Sequence, residues 1–164
     1  MDMKKLILFL SCALILISCT DQTSELTDEQ KATIISEVGA HVDLYLSAAI
    51  QLNFEVWSEY WSEDNFISVS SDIEFFDTRR IWIDAVADAW SGVESRSIES
   101  SEKRITPLAL NLAHVSREIH GSAVLKNEEK IVFTYQATSI WKKEVEDWKI
   151  IQLHEAIQQN PFEE

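Results

Sequence analysis

Cysteine is nearly missing from this 164-residue chain: Cys12 and Cys19 are the only two, and none follows. From position 20 onward there is no thiol for an intrachain disulfide, a thiolate nucleophile or a cysteine metal site. Glycine and proline are almost as scarce, at three and two, and no Gly-rich phosphate loop, Pro-rich linker, internal repeat or low-complexity block occurs. GxSxG and HExxH motifs are missing too. Positive charge is short: 14 Lys and Arg stand against 28 Asp and Glu, a formal charge of -14. With no basic cluster to compensate, phosphate backbones repel such a chain, and nucleic acid is excluded as a partner. The acidity otherwise reads as solubility.

What is present starts at the amino terminus. Lys4 and Lys5 precede an apolar run, Leu6 to Ile17, that ends at Ser18 and Cys19. The run has the length of a secretory h-region and is short for a membrane span, which needs about 20 apolar residues. Leu16-Ile17-Ser18-Cys19 resembles the bacterial lipobox, a small residue before an acceptor cysteine. The resemblance implies a signal peptide over residues 1–18, lipidation of Cys19, and a polar tether over residues 19–27. The domain would be tethered to the cell envelope through its lipid anchor, since multiple acylation holds stably where a single chain does not. Asp21 is not the first residue after the cysteine, and this favours the outer over the inner membrane. Without Asp2, Lys4 and Lys5, a net +1, the exported part carries -15.

Residues 28–160 have the length of one domain with one core. Thr27-Asp28-Glu29-Gln30 offers a capping box, and Ile34, Val38, Val42, Tyr45, Leu46, Ala49 and Leu52 recur at three- and four-residue steps, predicting a helix with one buried stripe. A second helix is expected over Phe54 to Trp61 and a short strand over Phe66 to Ser70. A third helix, capped by Asp77, should run through Ile81, Ala85, Val86, Ala89 and Trp90 to a stop at Gly92. Strands follow at about Glu94 to Arg104, Ala109 to His120, Lys130 to Lys143 and Trp148 to Ile157. Their alternation is plainest in Ile131, Phe133, Tyr135, Ala137, Ser139 and Trp141. Helices first and antiparallel strands afterwards is an α+β order.

Thr138-Ser139-Ile140-Trp141-Lys142-Lys143, an acidic turn and Trp148-Lys149-Ile150-Ile151-Gln152-Leu153-His154 resemble the closing hairpin of SnoaL-like and DUF4440-like domains of the nuclear transport factor 2-like (NTF2-like) superfamily. Asn111-Leu112-Ala113-His114-Val115 resembles the preceding family strand. The resemblance implies an NTF2-like cone: a curved antiparallel sheet wrapped by N-terminal helices, its open end a ligand pocket. Two departures stand out: Asn111 occupies a position where some enzymatic relatives carry a carboxylate, and Val145-Glu146-Asp147 replaces the usual glycine turn. Fold does not fix function in such a superfamily.

Pocket chemistry must come from a short set. His41 and Tyr45 share a helix face and can project into the cone, or Tyr45 can be core and His41 peripheral packing. Trp57 and Trp61 can wall a cavity or belong to plain core, and Tyr135 lies on the alternating strand. His154, read on the face of Trp148 and Ile150, and His114 are candidate proton carriers or hydrogen-bonded structural residues. His154, His114 and Tyr45 are thus the catalytic candidates, with His120, near an expected turn, weaker. At least three of His41, Tyr45, Trp57, Trp61, His114 and His154 are expected to face one cavity. No cofactor and no metal are expected: six residues of strand separate His114 from His120, roughly 20 Å. Ile151 and Leu153, read as outward-facing aliphatics, suggest a homodimer through the sheet. Two functions remain open, a noncatalytic module for a small apolar molecule or protein association, and an isomerase, cyclase or hydrolase using a pocket histidine and tyrosine.

Overall fold

The computed structural model describes residues 25–160 except residue 73. The signal segment, Cys19 and the tether through residue 24 lie outside the described residues. Helix α1 (Asp28–Ile50) starts at the expected capping box: Thr27 Oγ1 accepts from the Gln30 amide at 3.2 Å, and Gln30 Oε1 accepts from the Thr27 amide at 2.8 Å. Its buried stripe is Ile34, Val38, Val42, Tyr45 and Ala49, one side of a 3.6-residue repeat. Leu52, at φ 54°, turns the chain into helix α2 (Phe54–Glu59), which is capped by Asn53. This helix stops short of the expected Trp61 because Trp61 bridges to Ile150, and the Ile150 amide donates to the Tyr60 carbonyl at 2.7 Å.

Strand β1 (Ser68–Ser71) and the short β2 (Glu74–Phe76) precede helix α3 (Arg79–Ser91). Thr78 caps α3, in place of the expected Asp77, its hydroxyl accepting from the Ile81 amide; Gly92 is the C-cap. Arg79 ties α3 to α2, donating from Nε to the Trp61 carbonyl and from Nη2 to that of Ser58, both at 3.0 Å. It thereby adds donors to carbonyls at and just beyond the end of α2.

Four long strands follow: β3 (Val93–Ala109), β4 (Leu112–Leu125), β5 (Lys130–Glu144) and β6 (Asp147–Asn160). They form one sheet in the order β2-β1-β6-β5-β4-β3. β1 lies parallel to β6, so the sheet is mixed at that edge and not wholly antiparallel as expected. Strand β2, unforeseen from the sequence, extends this edge. Register shifts in the β3/β4 pair fall at Val93/Ser95, Ile98/Ser100 and Pro107/Ala109, and one in the β5/β6 pair at Ile140/Trp141. Each shift bends its strand and adds twist, and together they curl the sheet into a cone around α1. Gly121 permits one tight part of that curl, because a Cβ there would meet the Ser97 carbonyl oxygen at 2.5 Å and the Phe133 ring at 2.9 Å. The core between sheet and helices holds Val38, Val42, Trp61, Val69, Val115, Trp141, Trp148, Ile150 and Leu153.

Candidate functional site

The alternation of β4 sends Ala113, Val115, Arg117 and Ile119 inward, and that of β5 sends Ile131, Phe133, Tyr135, Ala137, Ser139 and Trp141 the same way. Toward the closed end these side chains are packed core. Toward the open end they line a cavity of about 410 Å³ with the C-terminal half of α1, Trp57 of α2 and one face of α3. Such a volume suits a small organic ligand. Its walls are mostly aromatic and aliphatic: Trp57, Trp82, Trp90, Phe76, Phe133, Ile98, Ile119 and Ile131. Trp57 anchors the aromatic group, with ring centroids 5.1 Å from Trp90, 6.1 Å from Trp82 and 5.9 Å from Tyr45.

Seven polar side chains break this lining: Tyr45, Ser71, Glu74, Arg96, Arg117, Tyr135 and Glu155. Tyr135 Oη donates to Glu155 Oε2 at 2.5 Å. The Arg117 guanidinium carbon stands 5.2 Å from the centre of the Tyr45 ring, and that of Arg96 stands 4.9 Å from the Trp90 ring. Burial raises the Glu155 carboxyl above its ordinary range, outweighing the hydrogen bonds from Tyr135 and Ser71 and the charge of Arg117. Burial, then the Glu155 charge, pushes the Tyr135 phenol well up. Burial also raises Tyr45 and lowers Arg96. Buried donors without a partner remain at Arg117 Nη1, Arg96 Nε and Trp82 Nε1, all on residues of this wall.

The residues singled out in the sequence divide among three places. Tyr45, Trp57 and Tyr135 line the cavity. Of the six residues expected to converge, only Tyr45 and Trp57 do, one fewer than the expected minimum. Trp61 is fully buried core. His41 sits toward the closed end, its Nδ1 3.0 Å from the Glu37 carbonyl oxygen and its Nε2 3.9 Å from Asp147. Glu37 beside it accepts from Lys143 Nζ at 2.8 Å and Trp148 Nε1 at 2.9 Å, which hold its carboxyl below the usual range.

The placement of His154 with Trp148 and Ile150 is corrected by a bulge. Trp141 pairs with Ile150 but Ile140 pairs with Gln152, so Ile151 is an extra residue and inward parity resumes at Leu153 and Glu155. His154 is therefore exposed on the outer face, alongside Thr138, Ser116 and Gln136. His114 lies on the outward row of β4 as well, opposite Ile140. His120 is within β4 and not near a turn; its Nε2 lies 2.8 Å from Glu118 Oε1. Ile151 and Leu153 are buried, which removes the exposed aliphatics that motivated a sheet-to-sheet dimer. Asn111 lies at the β3–β4 turn, remote from the cavity lining. Among the described residues no group of three His, Cys, Asp or Glu side chains could hold a metal ion.

Sequence reasoning missed Arg96, Arg117 and Glu155. A signal for Arg117 was available: Ala113, Val115 and Ile119 set an inward parity that Arg117 shares. Glu155 was unreadable without the bulge.

Residues 38–158 match the model of the SnoaL-like domain family. This chain belongs to the SnoaL-like family. Solved structures agree on its NTF2-like fold. A scytalone dehydratase-like protein from Novosphingobium aromaticivorans superposes with a TM-score of 0.74 at 11% identity, covering 84% of this chain and 93% of that one. A type 2 hexachlorocyclohexane dehydrochlorinase gives 0.70 at 10% identity, with coverage of 84% and 94%. A conserved protein from Planctomyces limnophilus gives 0.69 at 12% identity, with coverage of 79% and 100%. At such identities these proteins share a fold with this chain and no more. A comparison with curated protein sequences found no match.

Proposed function

We propose that this SnoaL-like domain is the exported part of an envelope lipoprotein and that its cone binds a small, largely apolar molecule without transforming it. The observation that carries the reading is the aromatic-walled cavity of about 410 Å³, which none of the four histidines lines. The histidine-and-tyrosine chemistry of a catalytic alternative loses its histidine. What remains is a wall suited to desolvating a flat apolar body, worth about 25 cal/mol per Å² covered.

Binding is tested with the full-length protein and N-phenyl-1-naphthylamine, a neutral probe that fluoresces in apolar surroundings. One saturable site per chain is expected, weakened at least several-fold by Ala85→Phe, which places a ring in the cavity from α3. Non-saturable fluorescence, or a site indifferent to Ala85→Phe, contradicts the reading. The anchoring part rests on Leu16-Ile17-Ser18-Cys19. Cys19→Ala should release the protein from membranes or leave it unprocessed; equal incorporation of labelled fatty acid by wild type and variant would refute lipidation at this residue.

A second reading is favoured by one observation, the short Tyr135–Glu155 hydrogen bond beside an apolar cavity. A buried carboxyl with a raised pKa can serve as a general acid or base, and a dehydrochlorinase and a dehydratase-like protein share the fold. Glu155→Gln separates the readings. An enzyme of this kind loses turnover, whereas a binding module keeps its affinity for the neutral probe.

A further inference from the structure

The interior of this acidic molecule is locally cationic. Arg117 is only 5% exposed, and strand register, not chance rotation, sends it inward: it occupies the β4 row between Val115 and Ile119, where an aliphatic side chain would complete the core. Arg96, opposite Ala123, approaches the same cavity from β3, its guanidinium over the Trp90 ring. Neither guanidinium is within ion-pair distance of a carboxylate among the described residues. Both keep a buried N–H without a partner, Nη1 on Arg117 and Nε on Arg96. A buried guanidinium N–H left unpaired is costly unless something with lone pairs and negative charge meets it.

Charge decides the kind of partner. The two guanidiniums face one carboxyl in the cavity, Glu155, already engaged by Tyr135; Glu74 stands at the exposed rim, where water screens it. That balance favours one negative charge on a ligand and disfavours two, so a carboxylate fits better than a phosphate monoester. The planar guanidinium fork also matches a carboxylate in shape. Around these groups the wall is aromatic, which fixes the remainder of the molecule.

We propose that the cone takes a small amphipathic carboxylate, its acid group held by Arg117 and Arg96 and its apolar body against Trp57, Trp82, Trp90 and Phe133. This rests on the reading of the cavity as a ligand site and adds the chemistry of the ligand. The test compares 2-naphthoate with the near-isosteric neutral 2-naphthalenemethanol, by calorimetric titration of the full-length protein at neutral pH. Naphthoate should bind roughly tenfold or more tightly, the worth of a charge-assisted hydrogen bond in a buried site. Arg117→Met should abolish that preference, read as the ratio of the two affinities within the variant, and Arg117→Lys should restore part of it. If wild type binds both compounds equally, or the alcohol better, the carboxylate proposal is overturned while the cavity remains a ligand site. Binding of neither compound, with no N-phenyl-1-naphthylamine site either, overturns both. The wild-type comparison decides the matter even where an Arg117 variant fails to fold.

Discussion

At the scale of single residues, Gly121 and Glu155 show how side-chain size and charge shape the cone. Gly121→Ala puts a methyl against the Ser97 carbonyl and the Phe133 ring, backbone on one side and cavity wall on the other. It should destabilise the fold by about 1–3 kcal/mol, as overpacking does, measured as a shift in the urea midpoint; an unchanged midpoint would show that the strand relaxes freely. Glu155 carries a pH signature. Its folded pKa is raised by burial, so its contribution to stability is fully present below the unfolded value and is lost as pH rises through the folded one. Glu155→Gln removes this loss, so the variant should gain stability relative to wild type as pH rises from mildly acidic to neutral. Glu37, lowered by Lys143 and Trp148, has the opposite sign, but it is common to both proteins and cancels in the difference. Denaturation across that pH range giving a flat or shrinking difference would contradict the assignment. Neither residue was conspicuous in the sequence. Gly121 is one of three glycines with no turn around it, and the parity of Glu155 depends on an insertion that no local pattern announces.

At the scale of elements, legibility followed local physics. The capping box at Thr27 and the stripe from Ile34 to Ala49 are set within a few residues of chain, and both are present as read. The β5 alternation from Ile131 to Trp141 is likewise regular. Strand β6 is different, because a single extra residue at Ile151 flips every side chain after it. Trp148 and His154 have even spacing and so looked like partners on one face. The parallel β1–β6 pairing was hidden for a related reason, since four residues of β1 carry no mark of their neighbour's direction. The β5–β6 turn holds a local conflict: Val145 has φ 56° and is 95% exposed, a left-handed conformation that a β-branched residue tolerates poorly. Val145→Asn should stabilise the protein by about 1 kcal/mol, since asparagine accepts this region more readily and no packing is lost. Thermal unfolding checks it, and a lower Tm would mean that Val145 makes a contribution its exposure conceals.

At the scale of the whole molecule, the SnoaL-like cone divides its aromatic residues between two tasks. The chain has six tryptophans. Trp61, Trp141 and Trp148 are sealed in the core, Trp61 behind the rings of Trp57 and Trp82, while Trp148 donates to Glu37 and Trp141 to Ser139. Trp57, Trp82 and Trp90 line the cavity. The sequence could supply the number of tryptophans and their helical or strand context, but not this division, which arises from how far the bulged sheet closes over α1 and α3. The same division gives the most direct test of the claim that the cavity is the ligand site. Indole N–H resonances of the full-length protein, assigned by Trp→Phe substitution, are followed by NMR as N-phenyl-1-naphthylamine is added. The signals of Trp57, Trp82 and Trp90 should move in a saturable manner while those of Trp141 and Trp148 stay in place; movement confined to Trp141 and Trp148, or none at all, would contradict the claim.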